Sequence, residues 1–242
     1  MGKMTPESLT EEIRKVCGER LRSVVLYGSA AAGDSLKTSD YNVLLVLDAV
    51  KADDLMALAP VCSRWGREGN HAPLMFARER LLRAADVFPV EFSDIKQTHR
   101  ILYGEDPFAV MEIDSAMLRL GLERELRSKL LLLHENFLAS GGGRRETERL
   151  MASSISAFLT LLKAALRLYG EVPPAKKLDS LPALGRHMKL DEEAFRMVWA
   201  LKEGRGSGVD PVDLFRRYLA AVQAVTDVVD RWEQGAKEKI SG

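Results

Sequence analysis

The sequence predicts an α+β protein, in which a mixed β-sheet with flanking helices is followed by an all-α antiparallel helical bundle. In the first half of the chain, short β-branched apolar runs alternate with stretches of helical periodicity. From about residue 114 onward, apolar residues recur at helical spacing throughout. The change of period follows the polar turn at Gly104–Pro107, which predicts two domains, 1–110 and 111–242.

The elements of the first domain follow from its apolar runs and turn residues. Thr5 and Pro6 are typical of a helix start, and apolar residues then recur at helical spacing. Strands are predicted at 23–27, 41–47, 74–76 and 88–92, with helices between them at about 51–59 and 78–85. The fourth strand is predicted because Phe88, Val90 and Phe92 alternate with other residues.

The second domain is predicted to contain five helices joined by short connections, the pattern of an antiparallel bundle. Glycine or proline stands at most of the predicted ends, as at Gly170 and Pro211. The helices are expected at about 114–139, 146–169, 180–187, 191–203 and 211–234. Leucines recurring along the first of them, such as Leu122 and Leu126, are expected to face the core.

Composition narrows the classes of function. The 35 basic residues balance 35 acidic ones, so the basic surplus typical of nucleic-acid binding is missing. Cys17 and Cys62 are far apart and are expected to be reduced thiols. The N-terminal residues do not resemble a signal peptide, and the most apolar stretch, 150–169, contains serines and charges. We therefore expect a cytoplasmic protein without a membrane span, acting on a small molecule or a protein.

The densest group of chemistry-bearing residues lies between the first two predicted strands. Its glycines, serines and carboxylate are Gly28, Ser29, Gly33, Ser39 and Asp40. A glycine turn allows backbone amides and the Ser29 hydroxyl to hold phosphate oxygens. Because strand side chains alternate, Asp40 and Asn42 should share a face, where a carboxylate can bind Mg²⁺. The spacing matches neither a Walker loop nor a dinucleotide-binding fingerprint.

This group resembles the signature of the nucleotidyltransferase superfamily, which includes DNA polymerase beta and kanamycin nucleotidyltransferase. In that family a Gly-Ser turn precedes two metal-binding aspartates that enter the next strand, and a later strand supplies a third carboxylate. The resemblance covers residues 10–105 and implies an Mg²⁺ cofactor with a nucleoside triphosphate. It implies nucleotide binding by Gly28, Ser29, Gly33 and Ser39, metal binding by Asp40, Asn42 and Glu91, and catalysis by Asp40 and Glu91.

Asn42 is a departure from that signature, because the family pattern has an aspartate there. Asparagine keeps one oxygen ligand but removes a full negative charge, which should slow transfer by about a hundredfold to a thousandfold. Two functions stay open. One is transfer of a nucleotidyl group to a hydroxyl of a small molecule or protein; the other is a catalytically inactive, nucleotide-sensing or protein-interaction module of the antitoxin type. The kanamycin enzyme also builds its sites across a dimer, so the resemblance implies a homodimer as one form to expect.

The remaining candidates have simpler structural interpretations. Arg127 and His134 have the spacing of helical ribonucleases of the HEPN type, but positions i and i+7 coincide by chance on many leucine-rich helices. Asp94 is interpreted as a cap or ion-pair residue. The four histidines, His71, His99, His134 and His187, are far apart and lack metal-ligand spacing.

Overall fold

The α+β class predicted from the two periodicities is confirmed by a computed structural model that describes residues 3–28, 30–31, 40–206 and 208–232. The chain divides into two compact units, Met1–Ile113 and Asp114–Gly242. We refer to them as the N-terminal and C-terminal units. The N-terminal unit contains the sheet, and the C-terminal unit is helical over the residues described.

The N-terminal unit alternates helices and strands. Its elements are α1 (Pro6–Cys17), β1 (Leu21–Tyr27), β2 (Asn42–Leu47), α2 (Ala52–Arg67), β3 (Leu74–Ala77), α3 (Arg78–Arg83), α4 (Pro89–Gln97) and β4 (His99–Gly104). A capping box starts α1, in which Thr5 and Ser8 exchange side chain–backbone hydrogen bonds and Pro6 occupies the first helical position. Glycine with a positive φ, Gly18, follows the last helical residue.

The four strands form a mixed sheet in the order β3-β2-β1-β4. β1 is antiparallel to both β2 and β4, whereas β2 and β3 are parallel. On one face, β-strand residues such as Leu26 and Val43 pack with Ile13 of α1 and Trp65 of α2. On the other face, strand residues that include Val25, Leu44 and Val46 pack with Phe92 and Ile95 of α4 and with Phe108. Helices thus cover both faces, which explains why β1 and β2 are almost continuously apolar.

The predicted strand at 88–92 is wrong, because these residues begin helix α4. Proline has no N–H for a strand ladder, and its fixed φ suits the first helical turn, where Pro89 lies. The carbonyl of Phe88 accepts the N–H of Phe92 at 2.9 Å. The fourth strand is instead β4, which the sequence analysis did not predict and which pairs with β1.

The C-terminal unit is a bundle of helices, as predicted. Its elements are α5 (Ser115–Ala139), α6 (Arg144–Ala165), α7 (Ser180–Gly185), α8 (Glu192–Lys202) and α9 (Pro211–Asp230). α6 contacts α5, α8 and α9. α5 is antiparallel to α9, because Arg119 near the start of α5 reaches the carbonyl of Asp230, while Phe137 near its end stacks on Phe215.

One helical segment in the described part of the chain, Arg144–Tyr169, is long and apolar enough to cross a membrane. Half of its most apolar window is buried inside the protein. Phe158, Leu159 and Leu162 belong to this buried part. The core helix of a soluble protein meets the same criterion, and α6 packs against four neighbouring helices, α5, α7, α8 and α9.

Asp191 gives the C-terminal unit a pH-dependent link between α8 and α9. Its carboxylate caps α8 by accepting the N–H of Ala194, and it accepts hydrogen bonds from Arg217 Nε and Nη2 at 2.9 and 2.8 Å. The Arg217 hydrogen bonds lower the pKa of Asp191. The resulting stability is complete above the unfolded-state pKa of about 3.9 and is lost as the pH falls through the lower folded-state value.

Asp191→Asn should therefore destabilise the protein at pH 7 by less than about 1 kcal/mol, since asparagine still caps the helix and an exposed ion pair contributes little. Urea unfolding of both proteins between pH 7 and pH 2 measures this difference, which should shrink below about pH 4. Asp213→Asn is the control, because Asp213 pairs with Arg216 of the same helix, α9. If the difference in unfolding free energy between the wild-type protein and Asp191→Asn stays constant down to pH 2, the Asp191 carboxylate does not stabilise the fold through its charge.

Candidate functional site

The turn that follows β1 requires glycine at Gly28. Its φ is +78°, a left-handed conformation that favours glycine. The N–H of Ala31 donates to the carbonyl of Gly28 at 3.1 Å and closes a tight turn. A Cβ atom at Gly28 would lie 3.1 Å from Nδ2 of Asn42, so the space above this backbone is also limited. Ser29, Gly33 and Ser39 lie outside the described residues.

Asn42 is the first residue of β2 and lies opposite Tyr27, the last residue of β1. Its half-buried side chain therefore sits beside the Gly28 turn. Side chains alternate along β2, so Asn42 shares a face with Leu44 and Val46. On that face Leu44 and Val46 pack with residues of α4. The structure thus brings together two of the predicted site residues, Gly28 and Asn42.

Asp40 precedes β2 by two residues and is half-buried. Its Oδ2 lies 3.0 Å from Nε2 of His71, whose side chain is exposed. Burial raises the pKa of the Tyr27 hydroxyl, and the negative charge of Asp40 raises that pKa further. Asp40 also stands two residues before Asn42, the partner of Tyr27, so the chain at Asp40 leads into the same edge of the sheet.

β4 extends this edge by one more side chain. His99 pairs with Tyr27, so Asn42, Tyr27 and His99 lie side by side on three adjacent strands. His99 is held in place, because its Nδ1 lies 2.8 Å from the carbonyl of Ile95 and its Nε2 lies 3.2 Å from Asp106. Sequence reasoning missed His99 as a neighbour of the site, since only the strand pairing brings it there.

Glu91, the third metal-site residue that the family resemblance implies, lies on a helix and not on a strand. Glu91 is exposed in the first turn of α4 and is not a strand residue. The two strands that come after β2, β3 and β4, contain no aspartate or glutamate. Across the described residues, no group of three or more His, Cys, Asp and Glu side chains could hold a metal ion.

The other candidates take part in ordinary ion pairs. Arg127 pairs with Glu123 at 2.8 Å and with Asp230 at 3.1 Å, so it joins α5 to α9. His187 lies 2.6 Å from Glu171. Each of His71, His99 and His187 is therefore matched with one carboxylate, an arrangement that does not provide a metal site.

The mixed sheet followed by helices is the architecture that the family resemblance predicts. Among solved structures, the chain is similar to spectinomycin adenyltransferase AAD(9) from Enterococcus faecialis, determined with ATP and spectinomycin. The two share 13% sequence identity at a TM-score of 0.54, over 92% of this chain and 98% of that one. No family model matches the sequence, and neither does any curated protein. At this identity, the similarity establishes the fold.

Proposed function

We propose that the N-terminal unit binds a nucleoside triphosphate together with Mg²⁺ at the edge formed by the Gly28 turn, Asp40 and Asn42. The observation that carries this proposal is the position of the Asn42 side chain beside the Gly28 turn, two residues after a partly exposed carboxylate. A glycine turn presents amides to phosphate, and a nearby carboxylate completes the ligand set of a phosphate-bound Mg²⁺. The nucleotidyltransferase fold of the chain supports the same site.

The residues present fit one Mg²⁺ ion that arrives with the phosphates. Magnesium in nucleotide sites is commonly held by one or two protein oxygens, with phosphate and water oxygens supplying the rest. Asp40 can supply one carboxylate oxygen and Asn42 one amide oxygen. A site for two ions does not fit the described residues, because they include no group of three or more His, Cys, Asp and Glu side chains that could hold metal ions. We therefore assign no step of a two-metal reaction to this protein.

Any nucleotidyl transfer should accordingly be slow. Bound Mg²⁺ would neutralise phosphate charge, which favours displacement at phosphorus. Asp40 and Asn42 would orient the triphosphate, and the glycine turn would hold it through backbone amides. Asn42 supplies no charge. Glu91, the base that the family resemblance implies, lies on helix α4 and not on a strand. A hydroxyl of a small molecule or protein is the proposed acceptor, in keeping with a neighbour solved with ATP and spectinomycin.

A catalytically inactive nucleotide-sensing or protein-interaction module is the second candidate function. Asn42 favours it, together with the absence of carboxylates from β3 and β4. Pyrophosphate release in the presence of Mg²⁺, measured with each of the four nucleoside triphosphates, distinguishes the two. Release that Asp40→Asn abolishes indicates the enzyme, and Glu91→Gln then shows whether Glu91 assists it. Nucleotide binding without release indicates the sensor.

Thermal melting with Mg²⁺ and nucleotide tests the binding proposal that both functions share. A ligand at 100 times its Kd stabilises the native state by about 2.7 kcal/mol, so the correct nucleotide should raise Tm by several degrees. Asp40→Asn should remove most of this rise. The matched control is Asp48→Asn, since Asp48 follows the opposite end of β2 and pairs with Arg22.

The control variant should keep the full nucleotide-dependent rise in Tm. Equal rises in the wild-type protein and in both variants would place the nucleotide elsewhere. No rise with any of the four nucleotides would contradict the proposed function.

A further inference from the structure

Residues 40 and 41, which lead into the proposed site, are held by the end of α2 and the loop after it. The ring of Tyr41 stacks on Trp65, with 5.8 Å between the centroids. The backbone N–H of Tyr41 donates to Oδ1 of Asn70 at 3.1 Å. The carboxylate of Asp40 contacts His71. These contacts span about 30 positions of sequence and meet directly before the first residue of β2.

Asn70 is the centre of this arrangement. Its side chain is buried, and while Oδ1 accepts from Tyr41, Nδ2 donates to the carbonyl of Trp65 at 3.3 Å. A donor on one side and an acceptor on the other fix the orientation of the amide. The fully buried indole of Trp65 in turn donates from Nε1 to the carbonyl of His71 at 2.9 Å. One buried amide therefore connects Tyr41 to the helix end that positions His71.

The backbone of Tyr41 depends on this side chain because the regular ladder of β2 begins one residue later, at Asn42. The bond from its N–H to Asn70 therefore replaces a strand hydrogen bond. Removing the Asn70 amide would leave the N–H of Tyr41 and the carbonyl of Trp65 without these partners. The backbone would then be less constrained beside Asp40, whose carboxylate direction follows from it.

We propose that Asn70 is a positioning residue for the nucleotide site, fixing the backbone of Tyr41 and thereby the direction of the Asp40 carboxylate. The proposal rests on the proposed function, since it concerns the same site. Its consequence is that Asn70 controls affinity for Mg·ATP without contacting the nucleotide. Its effect on Tyr41 is independent of ligand and can be measured separately.

Amide hydrogen exchange of the ligand-free protein measures the structural part. We expect the N–H of Tyr41 to exchange at least tenfold faster in Asn70→Ala than in the wild-type protein. Asn70→Asp keeps an acceptor oxygen and should retain most of the protection. Thr10→Ala is the control for general destabilisation, because the hydroxyl of buried Thr10 donates within α1, to the carbonyl of Pro6. It should leave Tyr41 protected.

Calorimetric titration of the same proteins with Mg·ATP measures the functional part. Asn70→Ala should weaken binding about tenfold, Asn70→Asp should bind more tightly than Asn70→Ala, and Thr10→Ala should bind as the wild-type protein does. Wild-type binding that Asn70→Ala leaves unchanged, or an unchanged exchange rate at Tyr41, would overturn this inference alone. Absence of Mg·ATP binding by the wild-type protein would overturn the proposed function and the positioning role together.

Discussion

Asn42→Asp should make the stability of the protein depend on Mg²⁺. The side chain lies beside the Gly28 turn and two residues after Asp40, so the substitution adds a second carboxylate to the proposed site. Without a cation, two nearby carboxylates repel each other, and the pKa of at least one should rise. With Mg²⁺ and nucleotide, the added charge should improve binding and raise any nucleotidyl transfer by about tenfold or more, the equivalent of 1.36 kcal/mol.

Melting curves in EDTA and in Mg²⁺, with and without nucleotide, measure the effect on stability, and pyrophosphate release measures the effect on transfer. Asn136→Asp is the matched control, since Asn136 is an exposed residue of α5 in the C-terminal unit. It should show neither effect. If Asn42→Asp gains neither Mg²⁺ dependence nor activity with any nucleotide, residue 42 is not a metal-site position. The interaction-module function would then be preferred.

Leu126→Ala should lower the free energy of unfolding by about 2–5 kcal/mol, the cost of removing a core leucine and leaving a cavity. Leu126 is fully buried on α5, as is Leu122 one turn earlier. α5 packs on α6, whose Ile155 and Phe158 are also buried. The sequence pattern predicts this buried face, and the burial of Leu126 confirms it.

Urea unfolding followed by circular dichroism measures the loss. Leu131→Ala is the matched control on the same helix, because the side chain of Leu131 is 60% exposed. Its effect should stay within about 0.5 kcal/mol. A similarly small effect of Leu126→Ala would mean that this face of α5 does not carry the core of the C-terminal unit.

Strands β1 and β2 could be predicted because their residues are buried on both faces, which makes the runs almost continuously apolar. The spacing of the aromatic residues in 88–92 is ambiguous, because Phe88 and Phe92 are also one helical turn apart and their rings pack together at the start of α4. Pro89 was the signal that favoured a helix. β4 was not predicted because only three of its six residues, Ile101, Leu102 and Tyr103, form an apolar run.

The sequence predicts only those parts of the candidate site that lie close together along the chain. Gly28 and Asn42 flank one connection between paired strands, so local sequence spacing places them together. His71 and Asn70 come from a loop about 30 residues later, and only the folded chain brings them to residues 40 and 41. Glu91 matches the third carboxylate of the family only if residues 88–92 form a strand. These residues begin helix α4, so that reason for choosing Glu91 no longer holds.

The most direct test of the central claim locates the nucleotide on the protein. Mn²⁺ in place of Mg²⁺ broadens nuclear magnetic resonance signals near the bound ion, so a spectrum with Mn·ATP maps the site. We expect the amide signals of Gly28, Tyr41 and Asn42 to broaden most, and that of Asp48, which follows the opposite end of β2, to broaden much less. Broadening centred elsewhere, or no broadening beyond that caused by Mn²⁺ alone, would contradict a nucleotide site at the Gly28 turn.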